Sequence, residues 1–286
     1  MAKITVSLDV GGTEIKAAAV ENGTLLTEIM HFSAQSDAFA SVILDNFAKI
    51  INEVRGEHEL DRICFAFPGP FDYENGICLI KGLAKYDSIY GFNLKRYFSD
   101  RFDVPRENVT FINDVAGFAL GETNFGKAAG AERAMFICIG TGCGSAFTYK
   151  NKLCGEEVHG VPPHGYVYPT PFLDGCIDDY ISKRGIISLS KEIVGLELDG
   201  KELEKMAALG NEKAVQAYAV FGERLKSAIE PFVREFAPSV LCIGGQITRS
   251  GDRFLTPLRE LCGEMKCELY VTSDTSKSAI LGASVK

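Results

Sequence analysis

The amino-acid sequence predicts a two-lobed α/β protein, and three observations predict it. The chain has 286 residues, more than one ordinary core fills, since cores split into units of roughly 100–200 residues. Apolar runs of period two alternate with stretches of helical period. One pattern, a buried strand followed by a glycine turn, a second strand and a hairpin signal, occurs twice, about 128 residues apart.

Ile4, Val6, Leu8 and Val10 alternate with Thr5, Ser7 and Asp9, which predicts a strand. Gly11, Gly12 and Thr13 turn the chain, residues 17–20 resume a strand, and Asn22-Gly23 is a two-residue hairpin signal leading to Leu25 and Leu26. Phe39, Val42, Ile43, Phe47, Ile50, Ile51 and Val54 recur at helical spacing and predict an amphipathic helix over about 38–55. Residues 63–67 read as a strand closed by Pro68, Gly69 and Pro70; 109–112 read as a strand delivering Asn113 and Asp114, with a helix over 116–122. The second copy places a strand at 135–139, a glycine turn at 140–144, a strand at 145–149 and a turn at 150–152. Gly12-Thr13 then falls on Gly140-Thr141, and Asn22 near Asn151. Phe221, Leu225, Ile229, Phe232 and Phe236 predict a long helix kinked near Pro231. A strand over 240–243 ends in Gly244-Gly245, and 279–283 open a small-residue terminal helix. No low-complexity linker separates these segments.

Composition limits the function. Net charge is −8 with no run of Lys and Arg, which argues against nucleic acid or an anionic membrane as the main partner, because neutralising phosphates needs a basic face. Nine cysteines form no regular framework, and Cys64, Cys138 and Cys242 sit inside apolar runs; reduced thiols of a cytosolic protein are the expectation. No charged n-region leads into an apolar segment, and no apolar stretch approaches roughly 18 residues. A soluble, cytoplasmic, enzyme-like chain is expected.

Four groups carry possible chemistry. In the first, Asp9, Gly11, Gly12, Thr13 and Lys16, glycines at a strand-to-strand turn leave N–H groups uncovered for phosphate oxygens. Asp9 at the strand end suits Mg²⁺, bound directly or through water. A tight hairpin with a surface Asp is the plainer account, and the Walker pattern G-x-x-x-x-G-K-[ST] is absent. The second group, Gly140, Thr141, Gly142 and Gly144, follows a buried strand, where so many glycines imply unusual backbone angles or close ligand approach, unless they form a bulge. The third is Asn113-Asp114: a carboxylate at the carboxyl end of a strand lies where open α/β sheets bind ligands. It suits a general base toward a hydroxyl, or simply the N-cap of the next helix. The fourth, Gly244-Gly245, leaves room for adenine and ribose or makes a turn.

Taken together, these groups give the chain a resemblance to the ROK (repressor, open reading frame, kinase) family of sugar kinases, within the actin–hexokinase–heat-shock-70 ATPase superfamily. The matching pieces run nearly the whole length. They are Asp9 to Lys16; Phe67-Pro68-Gly69-Pro70-Phe71-Asp72 with Gly76; Asn113-Asp114 through Gly121-Glu122; Gly140 to Gly144; Gly175-Cys176-Ile177-Asp178 with Tyr180 and Ser182; Ile243-Gly244-Gly245; and Leu281-Gly282-Ala283. The resemblance implies an actin-like (ribonuclease H-like) fold with a mixed β-sheet in each lobe. It implies an N-terminal lobe over 1–115, carrying the first phosphate loop and the sugar side, completed by a helix at 275–286. A C-terminal lobe over 116–274 would carry the second phosphate loop and the adenosine side. It implies ATP-dependent phosphorylation of a hexose or N-acylhexosamine hydroxyl, the 6-OH, with Mg²⁺. Asp114 would be the catalytic base; Asp9, Gly11, Gly12, Thr13 and Lys16 would serve phosphate and metal. Gly140, Thr141, Gly142 and Gly144 would form the second loop, Gly244 and Gly245 would face adenosine, and Pro68, Gly69, Asn113 and Asp114 would bind sugar. A homodimer is the family analogy.

Two departures from the family pattern matter. The zinc motif C-x-C-G-x-x-G-C keeps only its last cysteine, as Cys176, so no structural zinc is expected. The sugar segment G-E-x-G-H is disturbed: either His164 takes the histidine position, its glutamate replaced by Val161 or Pro162, or Glu156 and His159 keep the spacing. His164 is the favoured assignment, and Asp178 stands where the family has a second sugar-binding Glu. A non-catalytic sugar or nucleotide binder and a sugar-sensing regulator are the competing classes. The regulators carry an N-terminal winged helix-turn-helix, whereas here the phosphate loop begins at Asp9.

Overall fold

Residues 3–286 are described by the computed structural model. They fall into two units, one running through Gly126 and including Ser276–Lys286, the other Lys127–Thr275. In the first, β1 (Lys3–Val10) and β2 (Glu14–Glu21) pair antiparallel, with Asp9 opposite Lys16. Asn22 and Gly23 turn the chain at φ of 49° and 75°, the double left-handed step that matches strand twist, into β3 (Thr24–Leu25). β4 (Met30–Ser33) pairs elsewhere along β2. α1 (Ala40–Arg55) buries Ile43, Phe47, Ile50, Ile51 and Val54 of the predicted stripe together with Leu44, leaves the predicted Phe39 and Val42 exposed at its start, and stops at Gly56. β5 (Glu59–Phe67) lies parallel to β1. A short hairpin of β6 (Phe71–Asp72) and β7 (Ile77–Cys78) follows, then α2 (Leu94–Phe102), capped by the Asn93 side chain. β8 (Val109–Asn113) adds parallel to β5, and α3 (Asp114–Phe125) leaves its carboxyl end. The sheet order is β3-β2-β1-β5-β8.

The second unit repeats that plan. β9 (Arg133–Ile139) and β10 (Cys143–Tyr149) pair antiparallel, and β11 (Lys152–Leu153) adds to β10. The small hairpin of β12 (Pro171–Phe172) and β13 (Gly175–Cys176) leads into α4 (Ile177–Tyr180). α5 (Lys183–Ile193), α6 (Gly200–Ala208) and α7 (Glu212–Phe236) are capped by Ser182, Asp199 and Asn211 respectively. β14 (Val240–Gly244), α8 (Thr256–Glu264) and β15 (Glu268–Val271) complete the unit. The order β11-β10-β9-β14-β15 again has two antiparallel pairs followed by two parallel ones. α7 supplies Tyr218, Phe221, Leu225, Ile229, Val233 and Phe236 to the core.

α9 (Thr275–Ser284) closes the chain, and from Ser276 onward it is part of the first unit. Side chains alternate across a strand, so β5 offers Phe65 and Phe67 to an aromatic core with Phe47, Phe98 and Phe111. Its Cys64 and Ala66 point to the other face, against Ala279 and Ala283 of α9.

Three expectations shift. The first unit extends through α3 to Gly126 instead of stopping at residue 115, because α3 packs against α9 through Gly117 and Gly121. Gly144 lies in β10, opposite Cys138, so the second turn is three residues long. The long helix runs on through Pro231 as one element, although the proline has no N–H for the preceding turn.

Candidate active site

In the first unit the strand registers bring the expected groups to one edge of the sheet. Asp9 on β1 is level with Ala66 on β5, and Phe67 with Asn113 on β8. The turn after β1 is held by its carbonyls: Gly11 O accepts from Tyr86 Oη at 2.8 Å, Gly12 O from the Ser36 hydroxyl, and Thr13 O from the Ala34 N–H at 2.9 Å. Gly11 N–H closes onto Glu14 O at 3.0 Å, and a Cβ on Gly11 would meet that oxygen at 2.6 Å. Among the described residues, the N–H groups of Gly12 and Thr13 have no protein acceptor. Backbone donors left open by a turn whose carbonyls are occupied make an anion nest. Lys16 Nζ donates to Ser276 Oγ at 2.9 Å and lies 3.8 Å from Glu14.

Asn113, not Asp114, is the helix cap. Its Oδ1 accepts from the Val115 and Ala116 N–H groups at 3.0 and 3.2 Å, and its Nδ2 donates to Tyr73 Oη. Tyr73 in turn donates to Phe67 O, beside Pro68 and Gly69. The Asn113 amide also bonds the Asp114 carboxyl. Asp114 Oδ1 accepts from its neighbour's N–H at 3.0 Å. Burial pushes its carboxyl above the usual Asp value, opposed by the Val115 N–H, the Lys85 charge and the Asn113 amide. A half-buried carboxylate with a raised proton affinity suits a general base.

The second unit builds a matching turn. Gly140 N–H closes onto Gly142 O at 2.9 Å, and Gly140 O accepts from Lys183 N–H at 2.9 Å. The N–H groups of Thr141 and Gly142 have no protein acceptor among the described residues, as at Gly12 and Thr13. A Cβ on Gly140 would meet nothing within 4 Å, whereas one on Gly142 would come within 2.8 Å of Asp178 Oδ1. Gly244 is level with Cys138, and a Cβ on Gly245 would come within 2.3 Å of Ile139 O. The third glycine pair thus lies beside the second turn.

The sugar-side expectations in this unit fare unevenly. Asp178, expected to bind substrate, is already engaged: Oδ1 accepts from Cys143 N–H at 2.6 Å and Oδ2 from Arg184. Its carboxylate anchors the second turn. His164 is exposed, with a left-handed φ of 57°, on a segment whose Gly165 and Val167 bond Ser145 of β10. His159 lies at the opposite end of the sheet. Its carbonyl accepts from Arg133 at the start of β9, about 20 Å along the strand from the glycine turn at ~3.3 Å per residue. Glu156 is exposed three residues before it. Sequence reasoning missed Lys85, whose Cδ would lie 3.2 Å from a Cβ on Gly12. It sits in no motif, so no local signal marks it.

The family model described as ROK family matches residues 5–283. The glucokinase of Thermotoga maritima is 26% identical over 277 residues, covering 89% of this chain and 86% of that protein. The crystal structure of a ROK hexokinase from Thermus thermophilus superposes with a TM-score of 0.80 at 19% identity, over 99% of this chain and 98% of that one. A ROK family glucokinase from Streptomyces griseus, solved in complex with glucose and AMPPNP, gives 0.75 at 20% identity over 98% and 97%.

Proposed function

Because the chain belongs to the ROK family, we propose that it is a sugar kinase, transferring the γ-phosphoryl group of ATP to the 6-OH of a hexose or N-acylhexosamine. The observation that carries this reading is the edge of the first sheet. There a half-buried carboxylate, Asp114, opens α3 at the carboxyl end of β8, while an open-donor glycine turn follows β1 two strands away. Asp114 takes the proton of the sugar hydroxyl as its oxygen bonds to the γ-phosphorus and the bond to ADP breaks. In the first unit Gly12 and Thr13 offer N–H groups to phosphate oxygens. In the second, Thr141 and Gly142 do the same, and Gly244 and Gly245 face adenosine. Asp9 fits Mg²⁺, which takes one or two carboxylates and completes its shell with phosphate and water. Bound there, the ion supplies charge neutralisation of the phosphates. Pro68, Gly69 and Asn113 form the sugar side in the first unit.

The relatives named above are glucokinases and a hexokinase, which supports a hexose as acceptor. The test is ADP release from Mg-ATP against glucose, mannose, fructose, allose, N-acetylglucosamine and N-acetylmannosamine, with Asp114→Asn alongside. Sugar-dependent release is expected, falling by roughly 10²–10⁴-fold in the variant with AMPPNP affinity unchanged. Turnover near the wild-type rate in Asp114→Asn would sink the base assignment. Tight AMPPNP binding with no turnover on any sugar would support the binder instead.

A further inference from the structure

The segment between β7 and α2 holds its backbone in an unusual way around Lys85. Ala84 and Tyr86 have φ of 54° and 58°, left-handed values that L residues adopt only when surrounding contacts over-determine them, and that gather at ligand clamps. Those contacts run to the first glycine turn. Tyr86 N–H donates to Ser36 O at 2.5 Å, and Ser36 donates to Gly12 O. The Tyr86 ring is fully buried against Phe47 and Phe67, and its hydroxyl reaches Gly11 O at 2.8 Å. On the other side Gly82 N–H donates to Asp87.

Lys85 is thus fixed from both flanks relative to the turn, with its stem packed across Gly12. The side chain is half-buried, and its ammonium makes no hydrogen bond or ion pair among the described residues. Its charge acts on the Asp114 carboxyl. Lys16, the lysine of the glycine-turn motif, is by contrast held by Ser276 and Glu14. An ammonium is a compact charge with three donors, suited to phosphate oxygens as they gather charge.

We propose that Lys85 is a phosphate-binding residue that neutralises the terminal phosphoryl group over the Gly12 turn while Asp114 receives the proton of the attacking hydroxyl. This rests on the kinase reading and adds a residue to it. The strained neighbours fix the stem, and Gly12 leaves the space the stem crosses.

The test uses the full chain and binding as well as turnover. Mg-AMPPNP and Mg-ADP are titrated calorimetrically into wild type, Lys85→Met and Lys85→Arg, with a melting curve for each. Lys85→Met is expected to weaken AMPPNP about tenfold, the scale of one charge-assisted contact, and to leave ADP within about twofold, since ADP lacks the γ-phosphate. Lys85→Arg is expected to recover most of the AMPPNP affinity. With an accepted sugar, Lys85→Met should lose roughly 10²-fold in kcat. The acid limb of its pH profile should also move upward, because the positive charge favouring the Asp114 carboxylate is gone. Equal nucleotide affinities in wild type and Lys85→Met, or an equal loss for ADP, overturns the assignment. A wild-type chain that binds neither nucleotide overturns the kinase reading itself.

Discussion

Burial raises the Asp114 carboxyl above the usual Asp value while the Val115 N–H, Lys85 and Asn113 pull it back. The sign of the consequence differs for activity and for stability. As a base Asp114 must be ionised, so the acid limb of kcat/KM is expected at a higher pH than the ~3.9 of an ordinary Asp. For stability, a carboxyl with a raised folded-state pKa binds protons more readily folded than unfolded. Its penalty is absent below the unfolded value and grows as pH rises through the folded one. Asp114→Asn is therefore expected to be inactive yet to melt at or above wild type at pH 7, the gap closing toward pH 3–4. A variant that melts well below wild type at pH 7 would contradict this. Asp178 makes the complementary case. Its carboxylate holds Cys143 N–H and Arg184, so Asp178→Ala should raise KM for ATP about tenfold, with a smaller effect on KM for sugar. The reverse pattern would return Asp178 to the sugar side.

At the scale of elements, the crossing of α3 and α9 decides how the first unit is closed. A Cβ on Gly121 would stand 1.9 Å from Ser278 O, and one on Gly282 would stand 1.8 Å from Gly117 O. Glu122, buried on α3, accepts from the Ser278 hydroxyl at 2.7 Å in the same contact. The obstructing atoms are backbone, so no rotamer change relieves them. Gly121→Ala is expected to destabilise by about 3 kcal/mol or more, read as a lower urea midpoint. Gly263 is exposed in the last turn of α8, where a Cβ would meet nothing within 4 Å and φ is not positive. There Ala should stabilise by roughly 0.4–1 kcal/mol through the unfolded chain. A drop in stability at Gly263→Ala would show that the site is less open than its geometry. The glycines of the α3–α9 crossing stand in the sequence as members of a motif; their reason is close helix packing.

At the scale of the whole molecule, two sheets of the same strand order, β3-β2-β1-β5-β8 and β11-β10-β9-β14-β15, repeat one plan with separate cores. Each places an open-donor turn after its first long strand. The second unit is one continuous stretch of chain, Lys127–Thr275, whereas the first needs its last residues back. Ending the chain after Thr275 would uncover Ala18, Val20, Cys64, Ala66 and Ile112, which now pack on α9. At ~25 cal/mol per Å² of apolar surface, losing such a face costs several kcal/mol. The truncated chain is expected to aggregate or expose dye-binding surface, while 127–275 expressed alone stays folded. A truncated chain that melts like the full one would refute the role given to α9.

Much of this was legible because it is local. Period two and the glycines marked β1, β2, β9 and β10 with both turns, since those signals depend on neighbours along the chain. The Asn22-Gly23 hairpin and the apolar stripes of α1 and α7 were legible for the same reason. Asp114 was marked by its place at a strand end. Other features were settled only by groups far apart in sequence coming together. The cap moved to Asn113 because its amide meets the Val115 and Ala116 N–H groups. Asp178 became an anchor because Cys143, 35 residues away, turns its N–H toward it. The boundary moved to Gly126 because Ser278 meets Glu122 across 156 residues. Lys85 gained its place over Gly12 because Tyr86, buried in an aromatic core, ties that segment to a turn 75 residues earlier. Periodicity records which face of an element is apolar; which residue meets which across the core is decided by packing, and packing is a property of the folded chain.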